Sequence, residues 1–167
     1  MNTLAILFCI FFNLMNNTSS CCHSTVVLTP KQQTIVLYEN SNFNDTLGFL
    51  INDTISENYF IATILKIKKG FAFVKGSYVL SDTVKCSGWV ETKYLGIYLI
   101  ADDKIPLYTR PNFSSEKSYI NNPEWYPLEI IKCNNGWLYV KYKDKHQEKQ
   151  GWLPAEYQCP NPYTICN

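Results

Sequence analysis

The amino-acid sequence predicts an all-β protein, in which an export signal precedes two copies of one small unit. Three observations support this fold class. Aromatic residues make up 15% of the chain and charged residues only 17%, a balance that suits half-buried strands and argues against disorder. Short blocks of sequence recur in the same order, and no segment shows the pattern of a long helix.

The N-terminus carries the signal. Residues 4–12 (LAILFCIFF) form an uninterrupted apolar run, and residues 16–20 (NNTSS) are small and polar. The run is far shorter than the roughly 20 residues of a permanent membrane span, so it predicts a signal peptide over residues 1–22. A buried N-terminal strand or helix is the alternative. We therefore expect an exported protein, which is periplasmic, attached to the outer membrane or extracellular.

Cys21 and Cys22 follow the apolar run directly. A cysteine in this place could accept the lipid of a bacterial lipoprotein, which would be the chain's only attachment to a membrane. The preceding residues, TSS, depart from the usual leucine-small-small pattern of such sites. Ordinary cleavage near Ser20 or Cys22 is the alternative.

The internal repeat comprises three blocks. Residues 35–38 (IVLY), followed by Phe43, match residues 105–108 (IPLY), followed by Phe113; residues 70–75 (GFAFVK) match 136–141 (GWLYVK); and residues 88–90 (GWV) match 151–153 (GWL). The blocks read as strands with one core face and one outer face. They predict a first barrel over residues 34–97, a more divergent copy, and a second barrel over residues 98–159.

Polar segments separate the predicted strands. The sequence Asn134-Asn135-Gly136 lies between two apolar runs and is typical of a hairpin turn. Residues 143–150 read as an exposed hairpin tip, and residues 114–122 as another loop.

Four cysteines remain beyond the predicted signal, namely Cys86, Cys133, Cys159 and Cys166. An even number after an export signal points to disulfides, for which three pairings exist. The turn-prone residues 160–162 (PNP) could bring Cys159 and Cys166 together and staple the tail, residues 160–167, which leaves Cys86 with Cys133. No spacing supports a metal site, and we expect no cofactor.

The blocks resemble the bacterial SH3-like (SH3b) domain, most clearly in the second copy. The matching segments there are residues 107–112 (LYTRPN), 135–140 (NGWLYV) and 151–157 (GWLPAEY). The first copy lacks the Arg-Pro pair and carries Glu91 in place of Pro154. The resemblance covers nearly all of residues 34–159. It implies two small SH3-like barrels in tandem that bind cell-wall peptides, glycans or protein partners.

The segment GWLPAEY also resembles the part of eukaryotic SH3 domains that lines a groove for proline-rich peptides. That resemblance implies a ligand-binding groove walled by Tyr108, Trp137, Pro154 and Tyr157. Flat aromatic rings with one polar edge suit an extended peptide. The alternative is that these residues pack the barrel or the contact between the two barrels.

Charge and isolated side chains exclude other classes. Residues 34–97 carry six lysines against six acids, and residues 98–159 eight basic against eight acidic residues, so neither half offers the one-signed field that nucleic acid requires. His23, His146 and Glu124 lack a readable catalytic partner. The sequence predicts a non-catalytic binding protein of the cell envelope that recognises peptidoglycan, a peptide or an envelope protein.

Two alternatives stay open. One is a structural or inhibitory envelope protein, for which residues 125–127 (WYP) could supply an apolar contact patch. The more remote one is a cell-wall hydrolase.

Overall fold

The computed structural model describes residues 22–29, 34–53, 55–164 and 166, so the predicted signal up to residue 21 lies outside the described part. The all-β prediction is confirmed, because the described residues form strands and two one-turn 3₁₀ helices (Thr92–Tyr94 and Ala155–Tyr157) but no α-helix. The strands are β1 (Ser24–Leu28), β2 (Thr34–Tyr38), β3 (Thr46–Ile51), β4 (Phe60–Lys68), β5 (Phe71–Tyr78), β6 (Ser81–Glu91), β7 (Leu95–Leu99), β8 (Lys104–Tyr108), β9 (Lys117–Asn121), β10 (Leu128–Asn134), β11 (Trp137–Lys143), β12 (Glu148–Leu153) and β13 (Gln158–Cys159).

The strand order repeats as the sequence does. Twelve strands follow one another in the order β3-β2-β6-β5-β4-β1-β7-β10-β11-β12-β8-β9, and β13 pairs with β7. In the first half, strands β1 to β6 are ordered 1-4-5-6-2-3; strands β7 to β12 of the second half have the same order when counted from β7. β1 thus takes the place in the first half that β7 takes in the second. Closure of each half into a barrel stays a prediction.

β7 joins the two halves. It pairs with β1 through Val27 and Gly96, with β10 through Leu128 and Ile97, and with β13 further along. The predicted boundary between residues 97 and 98 therefore falls inside a strand that both halves use.

Two of the hairpins with two-residue connections share one turn geometry. Lys69 and Gly70 connect β4 to β5, with φ of 50° and 79°; Asn135 and Gly136 connect β10 to β11, with φ of 46° and 81°. Positive φ at both positions is what a two-residue type I′ turn requires, which explains the glycines. The hairpin predicted at residues 134–136 is therefore present.

One apolar core extends through both halves. Its largest fully buried members are Tyr142, Phe60, Ile35, Leu50, Ile64, Leu95, Ile97, Ile105, Leu107, Ile120, Leu128 and Ile130. A smaller cluster of Val27, Tyr59, Tyr98 and Cys159 lies beside the tail. Because the large core is shared, the halves support one another although each is too small to bury much apolar surface alone.

The disulfides confirm one predicted pairing and overturn the other. Cys159 bonds Cys166, as predicted, whereas Cys133 bonds Cys22 and not Cys86. Cys86 lies on β6 in the first half, while Cys133 lies near the end of β10 beside the N-terminal segment, where the Gly136 N–H donates to the Cys22 carbonyl at 2.7 Å. Pairing across this distance in sequence follows from the strand order.

This bond involves the last residue of the predicted signal. Cys22 is 1% exposed and belongs to the core, and the signal over residues 1–22 stays a prediction. In this structure the Cys22 sulfur is bonded to that of Cys133, and Cys21 lies outside the described residues, so a lipid anchor at Cys21 or Cys22 stays a prediction. Two disulfides are typical of exported proteins in an oxidising compartment. Within the described residues, no helix is long and apolar enough to cross a membrane.

Candidate ligand-binding surface

The structure brings two of the predicted site residues into ring contact. Tyr108 ends β8 and Trp137 begins β11, and their ring centroids lie 5.4 Å apart at an interplanar angle of 88°. Phe113 joins them, with its ring centroid 5.8 Å from that of Tyr108 and 4.8 Å from that of Trp137. We call Tyr108, Phe113 and Trp137 the aromatic trio.

Local hydrogen bonds hold Phe113 at the tip of its loop. The Thr109 N–H donates to the Glu116 carbonyl at 2.8 Å, which closes the loop where β8 leads into β9. Inside the loop, the Ser115 hydroxyl donates to the Arg110 carbonyl at 3.0 Å, and the Asn112 side chain accepts the N–H of the residue after Phe113. The loop therefore presents the ring from a defined turn.

The trio is graded from buried to exposed. Tyr108 is 6% exposed and anchors the cluster in the core, Trp137 is half-buried, and Phe113 is 61% exposed. An exposed ring above a half-buried one forms a step on the surface that an apolar group of a ligand could fill.

The other two predicted residues lie at the one-turn helix Ala155–Tyr157. The Tyr157 N–H donates to the Pro154 carbonyl at 3.2 Å. Pro154 is buried and offers a ligand little surface, whereas Tyr157 is half-buried. Burial, followed by the negative charges of Glu156 and Asp102, raises the pKa of Tyr157.

Charged groups flank one side of the trio. The Lys117 ammonium lies 5.6 Å from the ring centroid of Tyr108 and 5.5 Å from that of Tyr119, and its contact with the Tyr119 phenol raises the lysine pKa. A cleft of about 410 Å³ opens there. It is lined by Leu107, Tyr108, Thr109, Glu116, Lys117, Ser118, Tyr139, Gln150 and Gly151.

The first half contains a matching trio in a different state. Tyr38, Phe43 and Phe71 occupy the equivalent positions, and the Tyr38 ring meets the Phe71 ring at 5.7 Å and 79°. Here, however, Phe43 is half-buried and stacks on Phe71 with the centroids 3.5 Å apart and the planes 12° apart. In the first trio the stacking of Phe43 on Phe71 leaves little ring surface for a ligand, whereas in the second trio Phe113 is exposed.

Sequence reasoning about the groove missed Phe113. The repeat contained the signal, since a phenylalanine follows the tyrosine by five residues in both copies. The resemblance to known grooves gave no role to this loop position. Only the fold shows that the loop returns to Trp137.

Residues considered for other roles lie at exposed positions. The backbone N–H of His146 donates to the Asp144 carboxylate at 2.6 Å within a turn, and the backbone N–H of Glu124 donates to the Tyr142 hydroxyl at 3.0 Å. Trp125 is 45% exposed, but its indole N–H donates to the Pro162 carbonyl at 3.4 Å. Across the part of the chain that is described, no group of three or more His, Cys, Asp or Glu residues could hold a metal ion.

Comparisons with known proteins give low similarities. No protein-family model matches the chain, and no curated protein matches it. The chain is similar to the solved structures of NlpC1 and NlpC2 from Trichomonas vaginalis, at TM-scores of 0.34 and 0.32 and 19% sequence identity in both cases. The matches cover 85% and 81% of this chain and 47% of each of those chains, so this chain spans about half their length. Similarity at this level says nothing about ligands.

Proposed function

We propose that this chain is a non-catalytic binding protein of the cell envelope, built as two SH3-like barrels in tandem. Its aromatic trio, together with Tyr157, binds an extended peptide, either free or as the peptide part of peptidoglycan. The observation that carries the proposal is the difference between the two trios. In the second half, Phe113 is 61% exposed and lies against Trp137. In the first half, the equivalent Phe43 is stacked on Phe71.

The chemistry of the surface suits such a ligand. Tyrosine and tryptophan provide large, rigid contact areas whose polar edges can hydrogen-bond to a peptide backbone, and few side-chain rotamers are lost on binding. An extended peptide lying across the step would contact Phe113 and the Trp137 ring, while the Tyr157 hydroxyl and the Lys117 ammonium would face its carbonyl groups. No catalytic residue is assigned.

A pull-down with purified peptidoglycan, alongside calorimetry with the soluble stem peptide, tests the proposal. The decisive variant is Phe113→Ser, which removes the exposed ring. Phe49→Ser is a matched control in dilute protein, the condition used for all of these measurements, since Phe49 is 63% exposed but lies on β3 of the first half. Loss of an aromatic anchor typically costs 1–2 kcal/mol or more, so we expect Phe113→Ser to weaken binding by about tenfold or more.

The controls separate the possible outcomes. Binding to peptidoglycan and to the soluble peptide, both weakened by Phe113→Ser, supports a peptide ligand. Binding to neither, or equal binding by Phe113→Ser and Phe49→Ser, contradicts the proposal. Both variants should retain the parent's thermal unfolding midpoint, because each changes a mostly exposed side chain.

A further inference from the structure

The outer edge of β3 is apolar and bears no paired strand among the described residues. β3 stands at one end of the strand order and pairs only with β2. Its sequence, TLGFLI, has no charged residue; Phe49 is 63% exposed and Ile51 is 54% exposed. An exposed, uncharged edge strand is a template for pairing with another strand.

Further apolar side chains extend this edge. The Ile51 N–H donates to the Tyr78 hydroxyl at 2.6 Å, which places the end of β3 beside the β5–β6 hairpin. The Leu80 N–H in that hairpin donates to the Asn58 side chain at 3.0 Å. We define the β3 edge patch as Leu47, Phe49, Ile51, Ile55, Val79 and Leu80, which are exposed by 46%, 63%, 54%, 94%, 43% and 68%.

At the opposite end of the strand order, the side chains of β9 protect its edge against pairing with another strand. β9 is the equivalent strand of the second half, and its register places Tyr119 where β3 has Phe49 and Asn121 where β3 has Ile51. The Lys104 ammonium lies 4.3 Å from the ring centroid of Tyr119. Lysines on an edge discourage pairing, because a partner strand would have to desolvate them.

The backbone at the end of β9 is also occupied. The Gln147 side chain accepts the Asn121 N–H at 3.4 Å and donates to the Asn121 carbonyl at 2.8 Å. At the equivalent position of β3 the Ile51 N–H is likewise engaged, by the Tyr78 hydroxyl. The two end strands therefore differ in their side chains, since β3 presents Leu47 and Phe49 where β9 presents Lys117 and Tyr119.

We propose that two copies of this chain associate through antiparallel pairing of β3 with β3. If a large apolar residue has on the order of 150 Å² of surface, the exposed fractions of the patch leave about 550 Å² uncovered per copy. Two copies that cover the whole patch would bury about 1,100 Å², which reaches the roughly 1,000 Å² expected of a specific interface. The area supports a dimer at the small end of the range, so association depends on concentration.

The geometry also limits assembly to two copies. Antiparallel pairing of identical strands is a two-fold interaction, in which each copy uses the same surface. Because lysines protect β9, the described strands leave the dimer no second open edge for further chains. A closed dimer, and not a fibre, is expected.

Sedimentation equilibrium over a wide concentration series tests this inference. The average mass should rise from that of one chain toward twice that value. Phe49→Lys should keep the chain monomeric throughout the series, whereas Phe113→Ser, a change at a similarly exposed ring outside the patch, should leave the dimer unchanged. Circular dichroism checks that both variants retain the fold.

Hydrogen exchange on the parent chain provides a second readout that needs no substitution. The Phe49 amide should exchange more slowly at high concentration, while amides of β9 should not change. A parent chain that is monomeric at every concentration overturns the inference. So does a dimer that persists in Phe49→Lys or that protects β9 instead of β3.

Discussion

Removal of the Cys22–Cys133 disulfide should destabilise the chain more than removal of the tail disulfide. The first bond ties the N-terminal end of the first half to β10 of the second and spans 111 residues in sequence. The bond between Cys159 and Cys166 spans only seven. The double variants to compare are Cys22→Ala with Cys133→Ala, and Cys159→Ala with Cys166→Ala.

The expected magnitude follows from the entropy of loop closure in the unfolded chain. A cross-link over about 100 residues contributes about 5 kcal/mol to the free energy of unfolding, and one over about seven residues contributes about 2 kcal/mol. Each pair includes one buried cysteine, since Cys22 is 1% exposed and Cys159 is fully buried. Packing losses are therefore similar, and loop length dominates the difference.

Urea unfolding followed by tryptophan fluorescence measures this difference. With a slope of about 2 kcal/mol per molar urea, the midpoint should fall by about 2.5 M for the Cys22 and Cys133 variant and by about 1 M for the tail variant. The parent protein used in these measurements must still contain Cys22, because the long disulfide cannot form without it. Equal losses in the two variants, or a larger loss from the tail, would refute the role assigned to the long bond.

Two further predictions concern stability. Gly96→Ala should lower the free energy of unfolding by about 1–3 kcal/mol, because a Cβ at Gly96 would lie 2.6 Å from the Pro127 Cβ. Gly48→Ala is the control and should have little effect, since a Cβ there would meet nothing within 4 Å. Equal shifts of the thermal unfolding midpoint in the two variants would contradict this account. Hydrogen bonds, first from the Tyr142 phenol, hold the pKa of Asp144 below its usual value of 3.8. The ionised carboxylate therefore stabilises the fold above about pH 4, and this stabilisation is lost as the pH falls. The stability of Asp144→Asn, measured from neutral to acid pH, should depend less on pH; an unchanged profile would exclude the effect.

The sequence alone could predict the strands that the repeat marks. Its blocks correspond to β2, β5, β6, β8, β11 and β12, because alternating apolar residues and Gly-Trp pairs recur at the same places. The Asn135-Gly136 turn was readable since few residues accept positive φ. The short Cys159–Cys166 loop was readable because its ends are close in the chain.

Long-range features were not accessible in this way. β1 has four buried residues among five and no alternation, and its role depends on pairing with β7 about 70 residues later. The partner of Cys133 likewise depends on which strands become neighbours. Exposure is also a tertiary property, so neither the open position of Phe113 nor the bare edge of β3 could be read from residue type.

The most direct test of the proposed binding surface is a titration of the chain with soluble stem peptide, followed by the NMR signals of the four tryptophan indole N–H groups. The proposal predicts that the Trp137 signal shifts in proportion to occupancy. The Trp125 signal should stay in place, although this side chain is 45% exposed, because it lies beside the tail and outside the aromatic trio. A shift of Trp125 with Trp137 unmoved, or no shift of any indole signal at saturating peptide, would contradict the account.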